Sequence, residues 1–245
     1  MGLEKSRVQV NDSSVPFDPG EGVTSFLASD MPDGLLSRQL DSQLAIFKHL
    51  ADGGGPPDSH AHLPVVATFD EENPFPVYGK DKATGLLPRD EHLDEYIAAI
   101  CTCLDDARDK PWEESRASRM AVAKRLYQSP EHIDRRKLGF VEIFQGQKYR
   151  GLKRNSSMTI QYTDLGPDVQ RYQLNGVVEF IGPGDPRFDF LYLMRMLIEY
   201  NAFHMLIEYN RFDIQQSEYP SGYVYWISEI FDKSPRNKSA GRRIT

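Results

Sequence analysis

Cysteine is nearly absent from this 245-residue chain: there are two, Cys101 and Cys103, one residue apart. Neighbours that close seldom form a relaxed disulfide, and no second pair exists to complete a zinc site. Nothing therefore points to an oxidising compartment, and a cytoplasmic protein is expected. Long apolar runs are missing too. The nearest approach, residues 188–203, is broken by Asp189, Arg195 and Glu199, so no membrane-spanning helix is expected. Met1 to Val8 lacks the apolar core of a secretory leader. The phosphate loops GxxxxGKS/T and GxGxxG are absent, as is HExxH. No motif specifies a reaction, and no metal site or cofactor is legible.

What is present is ordinary in bulk and uneven in layout. With 40% hydrophobic and 27% charged residues, the chain has the composition of a globular protein long enough to bury a core. Residues 1–107 carry 7 Lys/Arg against 19 Asp/Glu, whereas residues 108–154 carry 13 against 6. A basic block between acidic flanks implies an anionic partner, internal or external.

Along the chain, residues 1–33 mix Ser, Asp, Gly and Pro with scattered hydrophobes and show no period. They read as a flexible arm. A helix over about 34–51 follows, with Leu36, Leu40, Leu44, Phe47 and Leu50 on one stripe, until Gly53-Gly54-Gly55-Pro56-Pro57 stops it. Between disordered flanks this helix could dock in trans as easily as in cis. Further helices are expected at about 91–108, at 112–128 and in the late segment 188–212. In the first of these, Cys101 falls beside the apolar stripe and reads as a small core residue.

From residue 140 the period changes from 3.6 to 2. Strands are expected at Phe140–Phe144, Met158–Thr163, Gln170–Leu174, Val177–Ile181 and Tyr223–Ile230, with a short one at Leu63–Phe69. Asn175-Gly176 reads as a hairpin turn, because both residues accept positive φ. Helices followed by a run of strands predict an α+β fold: an antiparallel β-meander of 4–5 strands packed with about four helices. The expected division is an arm at 1–59, a globular domain at 60–232 and a basic tail at 233–245.

Met196-Leu197-Ile198-Glu199-Tyr200-Asn201 recurs as Met205-Leu206-Ile207-Glu208-Tyr209-Asn210. A nine-residue offset turns a straight helix through about 900°, so the copies face opposite sides of a helix that must be buried or sandwiched.

Three sets of residues carry candidate chemistry. His204 and Glu208 stand one turn apart on the late helix and could present an imidazole and a carboxylate. With Tyr162 and Tyr172 from the strands they are the candidate catalytic groups. Arg135, Arg136, Lys148, Tyr149, Arg150, Lys153 and Arg154 form a basic block with an embedded aromatic, suited to phosphates or to an acidic partner, including the chain's own Asp70-Glu71-Glu72 or Asp90-Glu91. His60 and His62 mimic a metal-binding HxH pair, but no apolar strand precedes them and no βα series follows, so no metal is assigned.

The leading expectation is an interaction or accessory protein, a subunit that binds an acidic or protein partner or a second copy of itself. The alternative is an enzyme with a site between the sheet and the 188–212 helix. A second alternative is nucleic-acid or anionic-ligand binding through residues 135–154, which the overall pI of about 5.4 disfavours.

Overall fold

The computed structural model describes residues 14–17, 24–54, 63–72, 74–142, 147–163, 170–208, 221–235 and 241–244. Two short strands, β1 (Ser14–Phe17) and β2 (Thr24–Leu27), pair with each other ahead of helix α1 (Asp33–Ala51). Strands β3 (Val65–Phe69), β4 (Val77–Asp81) and β5 (Gly85–Pro88) precede helices α2 (Leu93–Ala107) and α3 (Trp112–Tyr127). Then come β6 (Ile133–Glu142), α4 (Gln147–Arg154), β7 (Ser157–Thr163), β8 (Arg171–Ile181), α5 (Pro186–Glu208), β9 (Ser221–Asp232) and β10 (Arg242–Arg243). The fold is α+β, with five helices and an eight-stranded antiparallel sheet among the described residues. No helix among them is long and apolar enough to cross a membrane.

The strand order is β4-β3-β7-β8-β9-β6-β5, with β10 added on β9. The two end strands, β4 and β5, are consecutive in the chain and joined only by residues 82–84. Such a connection reaches at most about 14 Å, whereas seven strands laid flat would put their outer members about 29 Å apart. The sheet must therefore curl until its edges meet, and it forms a barrel with a seam between β4 and β5. Two contacts pin that seam. Lys82 Nζ lies 2.6 Å from Glu142 Oε2 on β6, and the hydroxyls of Thr84 and Tyr162 on β7 are 3.1 Å apart.

Alternation sorts the residues by face. Val66, Leu138, Phe140, Met158, Ile160, Tyr162, Leu174, Val178, Tyr223 and Tyr225 share the inner face, and all are buried. The outer face of β6 and β9 carries α5, whose Leu191 lies where a Cβ on Gly139 would sit, with 2.4 Å to its nearest methyl. Helices α2 and α3 pack on α5 in turn, and α1 packs on α3.

Most of the period-based expectations have counterparts, with instructive exceptions. Asn175-Gly176 is not a hairpin; it lies within β8, so the two expected strands there are one. Gly176 serves a steric need rather than positive φ. The Tyr225 ring crosses over it so that its hydroxyl can donate to the Met158 carbonyl at 3.3 Å, and a Cβ there would fall 2.0 Å from the Trp226 carbonyl. Opposite, β9 bulges: Asn175 pairs with Glu229 and Gly176 with Ile227, leaving Ser228 as the extra residue. Residues 148–154 of the basic block, for which no element was expected, are in helix α4, in which Tyr149 and Leu152, three apart, are buried while Arg150 and Lys153 face out. Arg135-Arg136-Lys137 lie inside β6 rather than ahead of it. On α2 the buried set is Leu93, Tyr96, Ile100, Cys103 and Ala107, so Cys103 is the core cysteine and Cys101 is exposed.

Helix α1 docks in cis. Leu36, Leu40, Phe47 and Leu50 join the common core, with the Phe47 ring edge-on to Tyr127 at 5.2 Å. The segment before it is fastened as well. Ser29 donates from its backbone to Ile227 and from its hydroxyl to Ser228, both carbonyls at the β9 bulge and both at 2.8 Å. At the other end Arg242–Arg243 pair with β9, and Arg243 bridges to Glu229 at 2.9 Å.

Replacing Gly176 with Ala should destabilise the fold by roughly 2–3 kcal/mol, because backbone rather than a flexible side chain blocks the new methyl. Urea unfolding measures this, and a loss below about 0.5 kcal/mol would show that β8 can yield.

Candidate functional site

A concavity lies on the outer face of the sheet, over β3, β7 and β8. It is a groove of about 440 Å³, a volume within the range of small-molecule sites. Strand alternation builds its floor. Ala67, Thr159 and Asn175 lie side by side across three strands, with Ser157 opposite Val177 in the next outward row. Phe69 and Val77, also paired, form one wall, and Phe26 and Ser228 stand on another side. Apolar walls thus meet a floor of hydroxyls and one amide.

That floor is organised by hydrogen bonds. The Thr159 hydroxyl donates to Asn175 Oδ1 at 3.1 Å, and Gln173 Nε2 donates to the same oxygen at 3.0 Å. Asn175 Nδ2 in turn donates to Glu229 Oε2 at 3.1 Å. A polar row therefore runs from β7 to β10 through Thr159, Asn175, Glu229 and Arg243.

A second polar cluster sits at the barrel seam. Lys82 and Glu142 form a largely buried ion pair, and Lys82 Nζ lies 4.9 Å from the Tyr223 ring centroid and 5.9 Å from that of Phe140. Burial lowers the Lys82 ammonium pKa, with the Glu142 carboxylate pulling the other way. Burial also holds the phenols of Tyr162 and Tyr223 well above the ordinary tyrosine value.

Of the expected catalytic set, the two tyrosines do not line the groove. Tyr162 is buried on the inner face with its hydroxyl against Thr84, and Tyr172, its cross-strand neighbour, lies half-buried beside Gly34. His204 and Glu208 are on α5, but their side chains lie outside the described residues, as do those of Glu199 and of the second repeat copy. His60 and His62 are outside them too. Among the described residues, no group of three or more His, Cys, Asp and Glu side chains could hold a metal ion.

Much of the basic block meets acid from this same chain. Arg135 reaches Asp33 at 2.7 Å and also donates to the Met31 carbonyl. Arg136 pairs with Asp134 at 2.8 Å, and Lys137 pairs with Asp90 at 2.7 Å and with Asp134 at 3.2 Å. Arg154 binds Asp70 and lies 3.4 Å from Glu72. The Tyr149 hydroxyl accepts from Ser221 at 3.2 Å, and the Lys153 ammonium lies 5.2 Å from the Tyr149 ring centroid. Arg150 is exposed, and the Lys148 side chain is outside the described residues.

Sequence reasoning missed Thr159, Asn175 and the groove around them. The usable signal was the alternation Ser157, Thr159, Gln161 against Met158, Ile160, Tyr162 on β7, which marks a polar outer face. The wall residues come from other strands, and nothing local announces them.

No family model matches the chain, and no curated protein does. Solved structures resemble it at low identity. The HupZ protein of Group A Streptococcus matches with a TM-score of 0.39 and 11% identity, over 86% of this chain and 99% of that one. A pyridoxamine 5'-phosphate oxidase-related, FMN-binding protein from Nostoc punctiforme gives 0.40 and 8%, over 86% and 88%. An FMN-binding protein from Syntrophomonas wolfei gives 0.36 and 10%, over 83% and 95%. At these scores the likenesses assign no function, which has to be read from this chain's own residues.

Within the basic block, Asp134 gives a pH-dependent signature. Burial alone would raise its pKa, but hydrogen bonds from Arg136 and the Lys137 charge overcome that and hold it at about 2, below the ordinary 3.8. A depressed folded value stabilises the protein above the unfolded pKa, and the contribution fades as pH falls from about 4 through 2. Asp134→Asn should therefore cost roughly 2 kcal/mol at pH 7, with the gap from wild type narrowing from pH 4 to 2 in denaturant titrations. A gap that stays constant over that range would count against the assignment.

Proposed function

We propose that this chain acts by binding a small molecule, and that a flat heteroaromatic ring lies in the outer-face groove. This favours a ligand-binding or enzymatic role over a purely accessory one, at a groove lined neither by the 188–212 helix nor by the 135–154 block. One observation carries it: apolar side chains of Phe26, Phe69, Val77 and Val177 flank a floor in which the Thr159 hydroxyl and the Asn175 amide are held in place by their own hydrogen bonds, with Ser157 beside them. A ring buries its faces against such walls and satisfies its edge atoms on such a floor.

Flavin mononucleotide, named for two of the similar structures, offers a ring of this kind. The fit is to the ring and not to the phosphate, for among the described residues the groove's lining contains no lysine or arginine. No reaction step is therefore drawn through that group, and phosphate-free flavins are the first probes to use.

Riboflavin added to the protein should lose fluorescence on binding, and FMN should gain little from its phosphate. Ala67→Phe, which fills the groove from β3, should weaken riboflavin at least about tenfold while leaving the thermal midpoint near wild type. Binding that survives the filled groove would place the ligand elsewhere.

A second reading rests on the groove's rim. Val77, which lines the groove, is 66% exposed, and Phe75, two residues before it, is 88% exposed, so apolar surface faces solvent at the start of β4. A protein partner or a second copy would cover it. Light scattering across a concentration series supports that reading if the mass rises with concentration and Phe75→Glu abolishes the rise.

A further inference from the structure

The polar floor of the groove has a direction, set at one end by a carboxylate. Glu229 can only accept hydrogen bonds, and Arg243 holds it at 2.9 Å. The Asn175 group 3.1 Å from Glu229 must then be the amide nitrogen, which turns Oδ1 the other way. There Oδ1 accepts from Gln173 Nε2 at 3.0 Å and from the Thr159 hydroxyl at 3.1 Å. A hydroxyl has one hydrogen, and that of Thr159 is spent on Asn175. What Thr159 presents at the floor of the groove is therefore oxygen lone pairs.

We propose that Thr159 is the specificity-determining acceptor of this groove, selecting heterocycles that present a ring N–H donor and rejecting those alkylated at that nitrogen. The inference rests on the ring-binding reading and sharpens it: the ligand class is a flat lactam- or imide-containing ring, met at its N–H edge. Arg243, Glu229 and Asn175 act as positioning residues, since they fix which way the hydroxyl points without lining up a donor of their own on the same ligand atom. A ligand whose edge offered only acceptors would set lone pairs against lone pairs and cover the Thr159 oxygen without giving it a donor.

The test compares riboflavin with N3-methylriboflavin, which differ in one ring N–H, on wild type, Thr159→Val and Thr159→Ser. Valine has the same shape and remains a strand former, so the fold should tolerate it, and circular dichroism checks this. The expected result is that wild type binds riboflavin about tenfold or more tightly than the methylated ring. Thr159→Val should bring the ratio near one by weakening riboflavin alone, and Thr159→Ser should restore the preference. Equal binding of both rings by wild type, or a preference that persists in Thr159→Val, overturns the inference while ring binding stands. Failure of either ring to bind wild type overturns the ring-binding reading itself, and this inference with it.

Discussion

The three-residue connection between β4 and β5 constrains everything else in the structure. It ties together the two strands that stand farthest apart in the sheet order, so the sheet can exist only as a barrel. Curling gives the sheet a closed interior and a convex exterior. The interior fills with Phe140, Tyr223, Tyr225 and the aliphatic residues around them. The seam would be weak if it relied on hydrophobic contact alone. Lys82 reaching Glu142 and Thr84 reaching Tyr162 fix the connection to β6 and β7 from within. A buried ion pair of this kind contributes little net stability compared with an apolar pair of similar volume, because both charges give up water. Its value is in registering one edge against the other.

Charge does similar work on the outside. The acidic first third and the basic middle are complementary because they touch: Asp33 meets Arg135, Asp70 meets Arg154 and Asp90 meets Lys137. The exposed Asp33–Arg135 pair is worth at most about 1 kcal/mol, whereas Lys137 and Asp70 are the buried members of the other two. Together the three pairs select one docking of the β2–α1 segment, the β3 end and the 90–92 turn onto β6 and α4. The consequence for function is that much of this basic surface is already neutralised from within. The groove lies apart from it, walled by uncharged side chains.

How much of this was legible follows from the range of each interaction. α2 and β7 are written in local periods, α3 is marked by Pro111 and Pro130 at its ends, and α1 with its buried stripe is nearly as plain. Asn175-Gly176 misled because turn chemistry is local, whereas the need for glycine is not. Tyr225, some fifty positions downstream, has to pass over position 176 to reach Met158. α4 was hidden by its charge, since only Tyr149 and Leu152 of its eight residues are clearly apolar and buried. β4 and β5 were masked by prolines, and their placement depends on a pairing order that no local pattern encodes. The groove suffers most, because its floor draws single residues from β3, β7 and β8. Tyr162 and Tyr172 sat on well-identified strands, yet alternation put Tyr162 inside the barrel, away from the groove.

The outer face of the sheet is one surface put to two uses, and the residue types show where each begins. Over β6 and β9 the face carries Gly139 and packs tightly against α5 through Leu191. Over β3, β7 and β8 it carries Ala67, Ser157, Thr159 and Asn175, small side chains that leave room for the groove. A surface meant only for water would not need its asparagine held by three partners. A surface meant for a purely apolar cover would not place a hydroxyl with outward lone pairs at its centre, since covering that oxygen without a donor costs about 1–3 kcal/mol. On the ring-binding proposal, what lies over β7 brings both a flat apolar face and a hydrogen to give. A heteroaromatic ring with an N–H edge carries both on a few atoms, whereas a protein surface would have to supply them from separate side chains in register with a curved sheet.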